Sequence, residues 1–160
     1  MSGRKVVLVF AAVLTIGVGA TITLVRSLEA AERYQESIQD TWRRVALELD
    51  KRYRSMERSV AELADDGSTS LDWIEVFRLH LDAFRTSGDL ESQIEAANRI
   101  ESVLAQHPEV EQAPSLELLE AIAEFESARA DYEQWLAGPI GRSLRLVVPQ
   151  SPPPRLTIAK

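Results

Sequence analysis

The sequence predicts an all-α protein, an N-terminal transmembrane helix followed by an antiparallel four-helix bundle. Three observations lead there. Residues 6–25, VVLVFAAVLTIGVGATITLV, run from Val6 to Val25 without a single Lys, Arg, Asp or Glu. From Leu28 to Ala64 there is neither Gly nor Pro, and apolar residues there and beyond recur at steps of three and four. No stretch before Arg142 shows a convincing period of two, the mark of a half-buried strand.

Residues 1–5 form a short basic start through Arg4 and Lys5. The run 6–25 has the length of the about 20 apolar residues that cross a bilayer's hydrocarbon core as helix. A Lys or Arg at its centre would cost ~2.5–3.5 kcal/mol on insertion scales, so their absence is informative. Gly17 and Gly19 lack the four-residue spacing of a packed helix-dimer face. A cleaved signal peptide is the rival reading, because Val18, Gly19 and Ala20 imitate a cleavage site. The apolar run continues past them through Ile22, Leu24 and Val25, which favours a retained anchor. Arg4 and Lys5 oppose Arg26, Arg33 and Arg43 across that anchor. The tight amino-terminal pair favours a cytoplasmic amino terminus and an extracytoplasmic domain.

Residues 26–138 read as the bundle. Its first helix, about 28–64, carries Leu28, Ala31, Tyr34, Ile38, Trp42, Val45, Leu49, Tyr53, Met56, Val60 and Leu63 on one stripe. With no Gly or Pro between Ala20 and Gly67, it reads as continuous with the anchor, until Asp65, Asp66, Gly67 and Ser68 end it. Thr69 or Ser70 caps a second helix, 70–86, whose apolar face is Trp73, Ile74, Phe77, Leu81 and Phe84. Ser87 or Asp89 starts a third, 90–106, with Leu90, Ile94, Ala97, Ile100 or Glu101, Val103 and Leu104, stopped at His107–Pro108. Ser115 caps the fourth, 116–137, along Leu118, Ile122, Phe125, Arg129, Tyr132 and Leu136, and Gly138–Pro139 breaks it. Residues 139–160 are expected as a Pro-rich flexible tail. Leu144 to Val148 reads there as an extended segment without a strand partner, and the prolines after Ser151 impose polyproline geometry.

The net charge is −7 with two basic residues ahead of the run, so the remainder carries −9. An acidic domain is repelled by nucleic-acid phosphates and by anionic lipid surfaces, which argues against both as its partners. Without cysteine there is no disulfide and no thiolate metal site. His80 and His107 lack the Glu-x-x-His spacing of a di-metal bundle, and no metal or cofactor is implied. The pairs Glu91/Glu95 and Glu120/Glu124 lie on charge-rich faces and read as solvated. No phosphate loop or nucleophile elbow appears, so no catalytic residue is assigned and no enzyme is expected. Arg129 stands out on the apolar stripe between Phe125 and Tyr132. It either snorkels to the bundle's edge or fixes register in a buried ion pair, with Glu48 or Glu101 as partner.

A basic start, one membrane helix and then Trp42, Val45, Leu49, Lys51, Arg52 and Tyr53 in a long helix resemble the LemA family. The third helix and its loop, Ala97-Asn98-Arg99-Ile100 through Leu104 to His107-Pro108-Glu109-Val110, resemble a second family segment. Ala128, Arg129 and Tyr132 resemble a third, so the likeness extends to about Leu136. The sequence departs from the pattern after Arg52, where the family's proline is missing, and at Glu133 and Gly138–Pro139, where the family has asparagines. The resemblance implies an anchored bundle of undefined biochemical activity and marks Trp42, Arg52, Arg129 and Tyr132 as structural or interaction residues. A magnetosome-membrane protein among the relatives implies a membrane-organising role. The expected function is a membrane-anchored interaction or scaffold protein whose partner is an unknown membrane or envelope protein. The alternative is a tethered sensor or small-ligand-binding bundle with a pocket near Trp73, Tyr132 or Trp135.

Overall fold

Sequence free of helix breakers gives one long helix, α1 (Ser2–Asp65), in the computed structural model. It is followed by α2 (Leu71–Thr86), α3 (Leu90–Leu104), α4 (Leu116–Ala137) and α5 (Pro139–Arg145). The structure describes the backbone of residues 2–65, 71–108, 110, 113–145 and 151–158, and the side chains of 23–62, 72–108, 110, 113–145 and 151–158. Every regular element among the described residues is helical, so the protein is all-α. The turn expected at Asp66–Ser68, the caps Thr69 and Ser70, and Leu146 to Val148 lie outside them. Among the described residues no helix is long and apolar enough to cross a membrane. The anchor expected at 6–25 has described side chains only from Thr23 onward, and so lies largely outside this test.

Two of the expected caps are in place. The Asp89 carboxylate accepts from the Ser92 N–H at 2.8 Å, and the Ser115 hydroxyl accepts from the Leu118 N–H at 3.1 Å. Each satisfies a donor that the first helical turn leaves unpaired. Only Ser87, Gly88 and Asp89 separate α2 from α3, and the two helices pack together as a helical hairpin. The third helix ends two residues earlier than expected, at Leu104, with Ala105 and Gln106 in a turn.

The chain divides into two compact units, to both of which α1 and α4 contribute. One comprises Ser37–Ala130 with Pro152–Lys160. Its core is the predicted stripes: Val45, Leu49, Tyr53 and Met56 of α1, Phe77 of α2, Ile94 and Ile100 of α3, and Leu118 and Phe125 of α4 are fully enclosed. Each such side chain contributes ~1.5–3 kcal/mol by leaving water. Tyr53 meets Phe84 edge-on at 5.5 Å between ring centroids. Gln93 joins three helices with one amide: its Oε1 accepts from the Trp42 indole N–H at 2.6 Å, and its Nε2 donates to the Phe84 carbonyl at 3.1 Å.

The other unit comprises Met1–Glu36 and Asp131–Ser151. Tyr34, Tyr132 and Trp135 form an aromatic cluster with centroids 5.6–6.0 Å apart. Leu28, expected on the core stripe, is 36% exposed. Ser27 and Ala31, one turn apart and both buried, define the inward face here, and Leu28 is turned about 100° from Ser27.

The region after Gly138 departs from the flexible tail expected there. Pro at a first helical position loses no needed N–H, so Pro139 starts α5 rather than simply ending α4. Gly141 lets that short helix fold back, because a Cβ there would lie 2.5 Å from both Leu136 Cα and the Trp135 carbonyl oxygen. Further on, residues 151–158 have no regular secondary structure, with Pro153 buried. The Asn98 side chain holds this segment, its Nδ2 donating to the Arg155 carbonyl at 2.9 Å and its Oδ1 accepting from the Thr157 N–H at 2.7 Å.

Candidate functional site

Among the described residues, a buried polar cluster is built on α1 and α3. Arg52 follows Leu49 by three residues and precedes Tyr53, so it flanks the α1 stripe and is carried inward with it. Its Nη1 donates to both oxygens of Glu101, at 2.7 and 2.8 Å, and the Tyr53 hydroxyl donates to Glu101 Oε1 at 2.9 Å. The charged side chains are 5% and 2% exposed. Removing two charges from water costs several kcal/mol each, which only close pairing and added hydrogen bonds recover. The Tyr53 hydroxyl supplies one such bond. Burial pushes the Tyr53 phenol well above its ordinary value, the negative charge of Glu101 and its hydrogen bond add to this, and Arg52 opposes it. The cluster therefore holds a protonated tyrosine against an ion pair. Such a group fixes which turn of α1 faces which turn of α3.

Trp42 is 3% exposed, and its ring lies 5.3 Å from that of Phe125. A polar groove of about 390 Å³ opens beside it, between Gln39 and Arg43 of α1 and the Ser87–Gly88–Asp89 connection. Arg129 is buried, as its place on the stripe implies, and its Nε donates to Glu126 one turn earlier at 3.0 Å. Glu101 accepts from Arg52 and Tyr53, and Glu48 pairs with Lys51 at 2.6 Å. Tyr132 is enclosed by the aromatic cluster, and burial raises its phenol, opposed by Gln35 and Arg145.

Trp73 stacks on His107 with ring centroids 4.1 Å apart. His80 is held below its ordinary value by burial and then by the charge of Arg99. Glu124 pairs with Arg44, and Glu95 lies 4.0 Å from Arg99, so the carboxylate pairs on α3 and α4 face solvent and cations rather than one another. Among the described residues no three His, Asp or Glu side chains come together to hold a metal ion.

No protein-family model, curated protein or solved structure matches this chain.

Sequence reasoning reached Arg52 through resemblance, and Glu101 as an option on the third stripe and as a candidate partner of Arg129. That the two meet follows from a contact across 49 residues, which no local pattern encodes. The arrangement suits structure better than chemistry. Both charges are inside, and the described hydrogen bonds tie Arg52, Tyr53 and Glu101 to one another.

Proposed function

We propose that the chain is a membrane-anchored, LemA-like helical protein that acts as an interaction or scaffold protein for another membrane or envelope protein, and not as an enzyme. In this reading residues 6–25 cross the bilayer, the amino terminus is cytoplasmic, and α1 to α4 form an antiparallel four-helix bundle on the other side. The observation that carries it is the charge-free run 6–25, continuous along α1 with the stripe that supplies the core. Two further facts support it. The residues of the LemA-like pattern, Trp42, Arg52, Arg129 and Tyr132, are all interior, as residues that define a shared scaffold would be. The buried ionic groups sit where no substrate reaches them, which suits a rigid framework presenting its outer surface.

Alkaline carbonate extraction of membranes from cells producing the full chain tests the anchor. The chain stays in the membrane pellet, and Leu14→Arg, which puts a charge mid-run, releases it. Release of the unaltered chain refutes the reading. Protease access to tags at the two termini in intact cells tests the orientation. Crosslinking in native membranes, compared between the unaltered chain and variants of its exposed faces, tests the scaffold role through loss of one reproducible adduct.

A further inference from the structure

The charges of this protein are segregated along the chain. All 25 acidic residues lie between Glu29 and Glu133. The segment before Glu29 holds Arg4, Lys5 and Arg26, and the segment after Glu133 holds Arg142, Arg145, Arg155 and Lys160. The acidic domain as a whole repels an anionic bilayer, but the two ends of the chain do not.

The fold brings parts of those ends together. Thr23, Leu24 and Ser27 of α1 face Ile140 and Leu144 of α5 across an open, mainly apolar groove of about 550 Å³. Around it Leu24 is 40% exposed, Val25 48% and Ile140 48%. Arg26, Arg142 and Arg145 are exposed as well. A second groove joins Ile140 and Trp135 to Arg26 and Ala30. Apolar side chains, arginines and a tryptophan thus share one end of this unit, and of its lining stretches, 23–30 and 135–144, only the first carries an acidic residue, Glu29, which pairs with Arg33. The close approach of Gly141 to Leu136 and Trp135 fixes α5 there, so the arrangement belongs to the fold.

We propose that α5 and the adjoining turn of α1 rest on an anionic phospholipid bilayer, with Ile140, Leu24 and Val25 at the acyl boundary and Arg26, Arg142 and Arg145 among the phosphates. The proposal rests on the anchor reading above, and the geometry along α1 commits it to lipid. Each headgroup layer is about 5–8 Å thick, the difference between the whole bilayer and its core shared over two faces. Ser27 lies two residues past the end of the run, a rise of ~3 Å, and Ala30 lies at ~8 Å. α5 is therefore level with the hydrocarbon boundary and Trp135 with the headgroups, the depth at which aromatic residues collect. Exposed apolar residues and arginines at that level match both layers they meet.

The chain has no cysteine, so Ile140→Cys gives a single labelling site at an exposed position. The full-length protein carrying an environment-sensitive NBD label there is reconstituted into phosphatidylcholine vesicles with and without phosphatidylglycerol, using lipids brominated near the headgroup as quenchers. Glu36→Cys, exposed and ~16 Å along α1 from Val25, is the control position. The label at 140 shifts to the blue and is quenched at least twice as strongly as that at 36, and more so with phosphatidylglycerol. Arg142→Glu with Arg145→Glu removes at least half of the phosphatidylglycerol-dependent part. Equal quenching at 140 and 36 in vesicles that carry the protein on flotation overturns the proposal and leaves the anchor standing. A blue-shifted but unquenched label puts a second copy or another protein over Ile140, and also overturns it. Failure of the protein to float with the vesicles overturns the anchor reading itself.

Discussion

Replacing Glu101 with Ala would remove the carboxylate that Arg52 and Tyr53 share. Arg52 would keep its charge, on a side chain 5% exposed, without the counter-charge 2.7 Å away. Removing one partner of a buried ion pair costs about 3–5 kcal/mol, most of it from the charge left behind. The Tyr53 hydroxyl also loses its acceptor, for which about 1–3 kcal/mol is typical, but the two costs share one cavity and do not simply add. A loss of about 4 kcal/mol is a large part of the 5–15 kcal/mol that holds most domains folded. Arg52→Met combined with Glu101→Leu removes both charges and fills similar volume, and is expected to recover most of that loss. The assay is a urea titration of the full chain in non-ionic detergent, followed by far-UV circular dichroism. A loss below 1 kcal/mol for Glu101→Ala would refute the argument, as would a double variant no more stable than the single one.

Other expectations follow from the same geometry. Trp42→Ala loses a core ring and its bond to Gln93, and should cost ~3–5 kcal/mol in the same titration, whereas a shift under 1 kcal/mol would contradict its burial. Tyr53 keeps its proton in the folded chain to a higher pH than the unfolded chain does, so the stability it supplies is intact below about pH 10 and is lost as pH rises beyond that. Tyr53→Phe should flatten that alkaline decline, with a remaining slope from Tyr132, whose shift has the same sign. Gly141→Ala drives a methyl into the backbone of α4 and should cost about 1–3 kcal/mol of α5 docking, read as faster trypsin cleavage after Arg142 and Arg145. An unchanged cleavage rate would mean that α5 is not held by that approach.

Local signals were enough for most of the helices. α2, α3 and α4 begin within one residue of expectation because periodic apolar stripes coincide with chemical caps at Asp89 and Ser115. The core of α1 from Ile38 to Val60 follows from spacing alone. What the pattern could not supply was long-range. Stripe arithmetic flags apolar residues, so Arg52 enters the interior only because Glu101 waits on another helix. The burial of Arg129 was legible from the stripe, and the described bond to Glu126 joins it to a neighbour one turn away on its own helix. α5 was missed because seven residues are too few to show a period, and because Gly138–Pro139 stops one helix and starts another with the same two residues. The docking of the last segment was equally hidden, for polyproline geometry states a shape and not a neighbour.

Asn98 gives that last segment an unusual status. Its amide uses one N–H donor and its oxygen, and residues 155 and 157 return the matching pair, so a single side chain imitates one rung of a sheet ladder. One rung, at about 0.5–1.5 kcal/mol net per bond, is a weak latch beside a core of enclosed aromatic and aliphatic side chains. The carboxyl-terminal strap should therefore lift without the helices separating, exposing the ground beneath Pro153 in brief local openings. Hydrogen exchange at the Thr157 amide would time that lifting, and Asn98→Ala would leave the strap undone while the helical core stays shut.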